Sequence, residues 1–165
     1  MPRKGGLKFL DGDGRQILLG KAALETIRRH IQLDGDSKEA GGILLGRFIK
    51  ESQNIVVDEA TEPTETDKRG RFFFKRGRTK HQQRINEVWK TSKGTLNYLG
   101  EWHSHPEDGP SPSGQDLKNW KRIVHSAKYE QNELLFVIAG YGQIRAWAMG
   151  RKDARPRQLK PADSA

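Results

Sequence analysis

The sequence predicts an α/β fold, one mixed β-sheet flanked by helices with no regular βαβ repeat. Three observations carry this. Apolar runs of strand length recur at residues 41–49, 133–139 and 143–149. Between them lie longer stretches, around residues 21–33, 79–91 and 113–129, whose apolar side chains fall at helical spacing. The chain has 165 residues and no cysteine, so it is long enough to bury one core without disulfides.

Taken in order, Leu7–Leu10 and Gln16–Leu19 are short apolar runs around Asp11-Gly12-Asp13-Gly14, which predicts a hairpin. Leu24, Ile27 and Ile31 make residues 21–33 an amphipathic helix, closed by Asp34-Gly35-Asp36. Residues 41–49 and 55–59 follow as strands, the first apolar enough to be central in the sheet. A polar loop over 61–71 leads to Phe72-Phe73-Phe74, expected to be a strand serving the core. Together with that loop, the run is also placed to flank a substrate groove. His81, Ile85, Val88 and Trp89 then share a helical stripe, on which His81 reads as a packing residue rather than a ligand.

Strand character returns at residues 98–105. Ser113 opens a helix to about Tyr129 with Leu117, Trp120, Val124 and Ala127 inward. Residues 133–139 and 143–149 are strands joined at Gly140-Tyr141-Gly142, a hairpin signal. From Arg151 the chain is rich in Lys, Arg, Pro and Ala, with almost nothing to bury. The expected organisation is one domain over residues 1–150 and a disordered basic tail over 151–165.

The net charge is +9, which suits either a nucleic-acid or acidic partner, or a solvated surface with a basic tail. Basic residues such as Arg28, Arg69, Lys75, Arg76 and Lys121 are scattered, and no helix face collects them with aromatic side chains between. The second reading is therefore preferred, and no nucleic-acid partner is expected. No segment reaches the roughly 18–20 apolar residues of a membrane span. The N-terminal residues lack the apolar run of a secretory signal. A soluble protein of the reducing cytoplasm is the expectation.

The chemistry concentrates in residues 103–116, His-Ser-His-Pro-Glu-Asp-Gly-Pro-Ser-Pro-Ser-Gly-Gln-Asp. In a strand, positions i and i+2 share a face, so His103 and His105 can reach one metal ion. With Asp116 they form a His₂-carboxylate set that suits Zn²⁺ and leaves a fourth position open, which marks a catalytic rather than a structural site. Amide hydrolysis there needs a base to move the proton of water and a donor for the oxyanion. Glu39, just before the strand at 41, is the candidate base, with Glu59, Glu101 and Glu107 as rivals. Ser113 is the candidate oxyanion donor. Ser113-x-x-Asp116 also reads as a helix N-cap with its capping-box acid, which needs no metal, and the two readings coexist.

Glu39, His103-Ser104-His105-Pro106 and Ser113-x-x-Asp116 resemble the JAMM motif of the JAB/MPN/Mov34 metalloproteases. The similarity runs over about residues 15–149 and includes the Glu39-Ala-Gly-Gly-Ile-Leu-Leu-Gly strand. It implies a cytidine-deaminase-like α/β sheet, one catalytic Zn²⁺ per chain, and hydrolysis of peptide or isopeptide bonds after a ubiquitin-like C-terminus. Carried over, His103, His105 and Asp116 are metal ligands, Glu39 the general acid/base and Ser113 the oxyanion donor. Within the family, the chain is most similar to stand-alone bacterial enzymes of integrative elements and of antiviral CBASS operons. That likeness implies a protein substrate carrying the conjugated C-terminal tail of a cGAS-like nucleotidyltransferase, with an E1/E2-type partner that makes the conjugate. The alternatives are a catalytically silent MPN scaffold, which has no need of a complete ligand set, and a nucleic-acid-associated JAB protein, a group similar to this chain in its histidine motif but without the strand at 39–46.

Overall fold

The computed structural model describes residues 5–65, 67–153 and 155–162. Strands β1 (Leu7–Leu10) and β2 (Gln16–Leu19) pair antiparallel as the predicted hairpin. Its turn is held by the Asp11 carboxylate, which accepts from the Asp13 and Arg15 amides at 3.0 and 3.1 Å. Helix α1 (Lys21–Arg29) buries Ala23, Leu24 and Ile27. It stops four residues short of the expected end because Gln32 turns inward. The Gln32 amide donates to the Ser37 and Arg71 carbonyls, binding two loops instead of prolonging a helix.

The remaining elements of the main sheet are β3 (Gly41–Phe48), β4 (Ile55–Ala60), β7 (Asn97–Ser104), β8 (Glu133–Ala139), β9 (Ile144–Gly150), β10 (Arg157–Gln158) and β11 (Lys160–Pro161). Their order is β10-β9-β8-β7-β3-β4-β2-β1-β11. The β2–β4 and β7–β8 pairs are parallel and the others antiparallel, so the mixed α/β sheet is as expected. Along β8, Leu135, Val137 and Ala139 join the core beneath α1, while Leu134, Phe136 and Ile138 point to the opposite face. There α2 (Arg78–Thr91) and α3 (Gly114–Ser126) cover them, with Trp120 stacked on Phe136. Burial on both faces explains why β8 is continuously apolar in sequence.

One irregularity aims the site. Between Leu44 and Leu45 the β3–β7 register slips, and β7 carries Leu99 as an extra residue. Beside it Gly100 adopts a φ of +150°. A Cβ at that position would collide with the Leu135 carbonyl, so only glycine lets β7 approach β8 there. Beyond the bulge, β7 is paired in register with both β3 and β8 up to His103.

Three expectations need correction. Phe72–Phe74 do not form a strand of the core. Strand β6 (Phe73–Lys75) pairs only with β5 (Lys68–Gly70), as a separate two-stranded hairpin inside the predicted loop region, and Phe72 at its turn is 76% exposed. Likewise Trp89 and Leu117 are partly solvent-facing, because each lies at the margin of its helix's buried stripe.

The third correction concerns the tail, described over residues 151–153 and 155–162; Ala154 and 163–165 lie outside the described residues. Far from being unstructured, it supplies β10 to the edge at β9 and β11 to the edge at β1, so one short segment bonds to both margins of the sheet. Leu159 between them is 1% exposed in the α1-side core. The Arg157 guanidinium grips Glu133 at 2.9 and 3.0 Å. Edge pairing uses backbone groups, which composition does not report. Leu159→Ala is therefore expected to cost about 2–5 kcal/mol and to lower Tm by roughly 4–20 °C in a thermal melt. An unchanged Tm would mean the segment contributes nothing.

Candidate metal centre

The end of β7 and the start of α3 bring together three atoms that could hold a metal ion. His103 and His105 project from alternate positions, and their Nε2 atoms lie 3.0 Å apart. The Asp116 Oδ2 is 3.4 Å from the first and 3.0 Å from the second. Two tetrahedral bonds of about 2.0–2.1 Å separate their ligand atoms by about 3.3 Å, so the triangle has the size of one face of a zinc coordination tetrahedron. His105 is almost fully buried, and His103 is enclosed edge-on by Trp120.

The local sequence explains how Asp116 arrives there. Ser113 is the N-cap of α3: its hydroxyl accepts from the Asp116 amide at 3.1 Å. The Asp116 Oδ2 accepts in return from the Ser113 amide at 2.8 Å. This is the capping box expected from the sequence, and it aims the same oxygen at the histidines. The Ser113 oxygen is used as an acceptor, which leaves its hydrogen free to donate.

Electrostatics point the same way. Burial works to raise the Asp116 carboxyl, but the hydrogen bonds from His103 and His105 overcome this and hold it far below the usual carboxylate range. Burial works to lower His105, yet the bond to Asp116, aided by the charges of Asp116, Glu39 and Glu107, raises it. A cluster that draws protons onto imidazole in this way offers a divalent cation the same attraction.

Glu39 sits just ahead of β3 and is 5% exposed. Burial pushes its carboxyl up to about 7; His105 opposes this, while Asp116 and Glu107 add to it. No cation among the described residues pairs with it. The rivals are engaged differently: Glu59 takes Arg84 at 2.7 Å, and Glu101 takes Arg76 at 2.6 Å. Glu107 accepts from the Ser111 amide and stands 3.5 Å from His105 Nδ1, where it can orient the ring. His81 packs away from this cluster, with Nδ1 on Thr61 Oγ1 at 2.9 Å and Nε2 on Asp67 at 3.1 Å.

Ser104, between the two histidines, has a role that the sequence pattern does not announce. Pointing to the opposite face from its histidine neighbours, it is fully buried, accepting from the Ala40 amide and donating to Gln32. A polar residue at an alternate position of a core strand was the available signal.

Comparison with known proteins bears on the family and the fold. A family model described as prokaryotic homologs of the JAB domain matches residues 20–150. A CD-NTase/cGAS isopeptidase of Pseudomonas aeruginosa is 40% identical over 78% of this chain and 80% of its own. One of Vibrio cholerae is 38% identical over 89% of this chain and 88% of its own. In fold, the chain is similar to the solution structure of a Desulfitobacterium hafniense protein, with a TM-score of 0.56, 19% identity, and coverage of 87% of this chain and 90% of that one.

Proposed function

The chain belongs to the family of prokaryotic JAB-domain homologues, and on that premise we propose that it is a zinc-dependent isopeptidase acting on the conjugated C-terminus of a cGAS-like nucleotidyltransferase. The observation that carries the proposal is the triangle of His103, His105 and Asp116 ligand atoms, 3.0–3.4 Å on a side, with a buried, unpaired Glu39 close enough to feel their charges. His103, His105 and Asp116 would hold one zinc ion per chain, which supplies Lewis acidity that lets water ionise near neutral pH.

The chain's own groups account for the rest of the chemistry. Glu39, with its carboxyl raised to about 7, is poised to take a proton from water and hand it to the departing lysine amine. Ser113 donates its free hydroxyl hydrogen to the oxygen of the tetrahedral intermediate. The indole of Trp120 and the buried strand ends exclude bulk water from one side of the cluster. The isopeptide bond breaks between the tail's carbonyl carbon and the lysine nitrogen; the carbon gains the water oxygen, and the nitrogen gains the proton.

The substrate assignment rests on relatives named CD-NTase/cGAS isopeptidases. An intact set of His103, His105, Asp116 and Glu39 speaks against a silent scaffold. No described helix is long and apolar enough to cross a membrane, and work in the cytoplasm, beside an E1/E2-type partner that forms the conjugate, fits this reading. The test is incubation with a panel of nucleotidyltransferase C-terminal conjugates and fusions, with and without a chelator, read by mass. Chelator-sensitive cleavage directly after the tail's terminal residue is expected. No cleavage of any member by zinc-loaded protein would overturn the proposal. Ser113→Ala should lower kcat about 10²–10³-fold while lowering stability only by the lost cap, about 1 kcal/mol; kinetics and a melt on one preparation separate the two.

A further inference from the structure

Glu39 stands outside the main sheet, whose β3–β7 pairing starts at Gly41 opposite His103. Its own backbone must be held by something else, and both of its polar groups go to consecutive residues of β5. The Glu39 amide donates to the Gly70 carbonyl at 2.6 Å. The Glu39 carbonyl accepts from Arg69 Nε at 2.8 Å. We infer that Arg69 is a positioning residue for Glu39, through which the β5–β6 hairpin fixes the backbone that carries the catalytic carboxylate. This rests on the role proposed for Glu39 above.

The hairpin is itself braced well enough to act as a clamp. At its foot the Asp67 carboxylate, fully buried, accepts from the Thr64 amide at 2.7 Å, the Gly77 amide at 2.6 Å and His81 at 3.1 Å. At its turn the Arg71 carbonyl accepts from Gln32, and the Arg71 guanidinium donates to the Asp34 carbonyl at 2.6 Å. Between these points the ring of Phe74 lies against Gly41, where an added Cβ would stand 2.6 Å from it. The hairpin therefore cannot shift without strain, and Arg69 transmits its position to Glu39. A carboxylate that must move a proton is sensitive to displacements of about 1 Å, so loosening this bond is felt in turnover rather than in binding.

The experiment compares Arg69→Ala and Arg69→Lys with the wild type, using zinc-loaded protein and a nucleotidyltransferase joined through its C-terminus to a lysine of a reporter protein. Arg69→Ala is expected to lower kcat about 10–100-fold with KM within about threefold, zinc content unchanged and Tm within a few degrees. Arg69→Lys, which keeps a cationic donor, is expected to recover most of the loss. Unchanged kcat in both variants overturns the inference. So does a raised KM at constant kcat, which would make Arg69 a substrate contact, and so does a kcat loss that merely follows lost zinc or a large fall in Tm. Failure of the wild type itself to cleave the reporter would instead sink the isopeptidase reading.

Discussion

Glu39→Gln is expected to lower turnover of a nucleotidyltransferase conjugate by at least about 10³-fold, while zinc content measured by mass spectrometry stays at the wild-type value. Glutamine has nearly the same shape and can still fill the buried slot ahead of β3, but it cannot take a proton from water. The three atoms proposed to hold the metal belong to His103, His105 and Asp116 and are untouched by the change. Full activity in the variant would move the base role to Glu107, the glutamate that stands 3.5 Å from His105 Nδ1.

The same substitution should act in the opposite direction on stability. In metal-free protein the Glu39 carboxyl is raised from 4.5 to about 7 by burial, ahead of the opposing His105 and the reinforcing Asp116 and Glu107. An acid with a raised folded-state value costs nothing below pH 4.5, loses stability as pH climbs toward 7, and carries the full penalty above it. A shift of that size corresponds to about 3 kcal/mol. In the presence of a chelator, Glu39→Gln should therefore raise Tm by several degrees at pH 8 and much less at pH 5. A variant that is inactive and also less stable at pH 8 would show that the carboxylate is satisfied by partners and is not held in reserve for catalysis.

The clustering of His103, His105 and Asp116 was legible in the sequence because short-range geometry determines it. Alternation on a strand puts His103 and His105 on one face, and the capping box at Ser113 and Asp116 sets the helix start against them. The central strand at 41 and the apolar run at 133 were legible for a different reason, since burial on both faces leaves a continuous apolar run. The β5–β6 hairpin was not. Lys68-Arg69-Gly70 is as polar as any loop, and its contribution to the site comes through a carbonyl and a guanidinium that reach the backbone of Glu39, thirty residues away. The closing segment leaves no sequence pattern for a related reason: Leu159 is one apolar residue among charges, and its value depends on both sheet edges standing beside it. What single-sequence patterning misses here is contact between segments distant in the chain that pair through backbone groups.

Asp116 carries two of these legible roles at once, and replacing it in two ways should separate them. Asp116→Asn keeps an amide oxygen able to accept from the Ser113 backbone, so the cap at 2.8 Å survives in form. It removes the negative charge that draws both imidazoles together and that a divalent cation needs. The expected result is a folded protein that melts below the wild type under chelator, because the contacts that hold the Asp116 carboxyl low are lost, with no bound zinc after dialysis and no detectable cleavage. Asp116→Ala should lose zinc and activity equally, and in addition about 1 kcal/mol of stability from the missing cap. If Asp116→Asn kept stoichiometric zinc, the carboxylate would be a helix cap that merely lies near His105, and the metal would have to be held by the histidines with Glu107. If both variants lost zinc but Asp116→Ala melted no lower than Asp116→Asn, the cap would be energetically idle and the Ser113–Asp116 geometry would serve the metal alone.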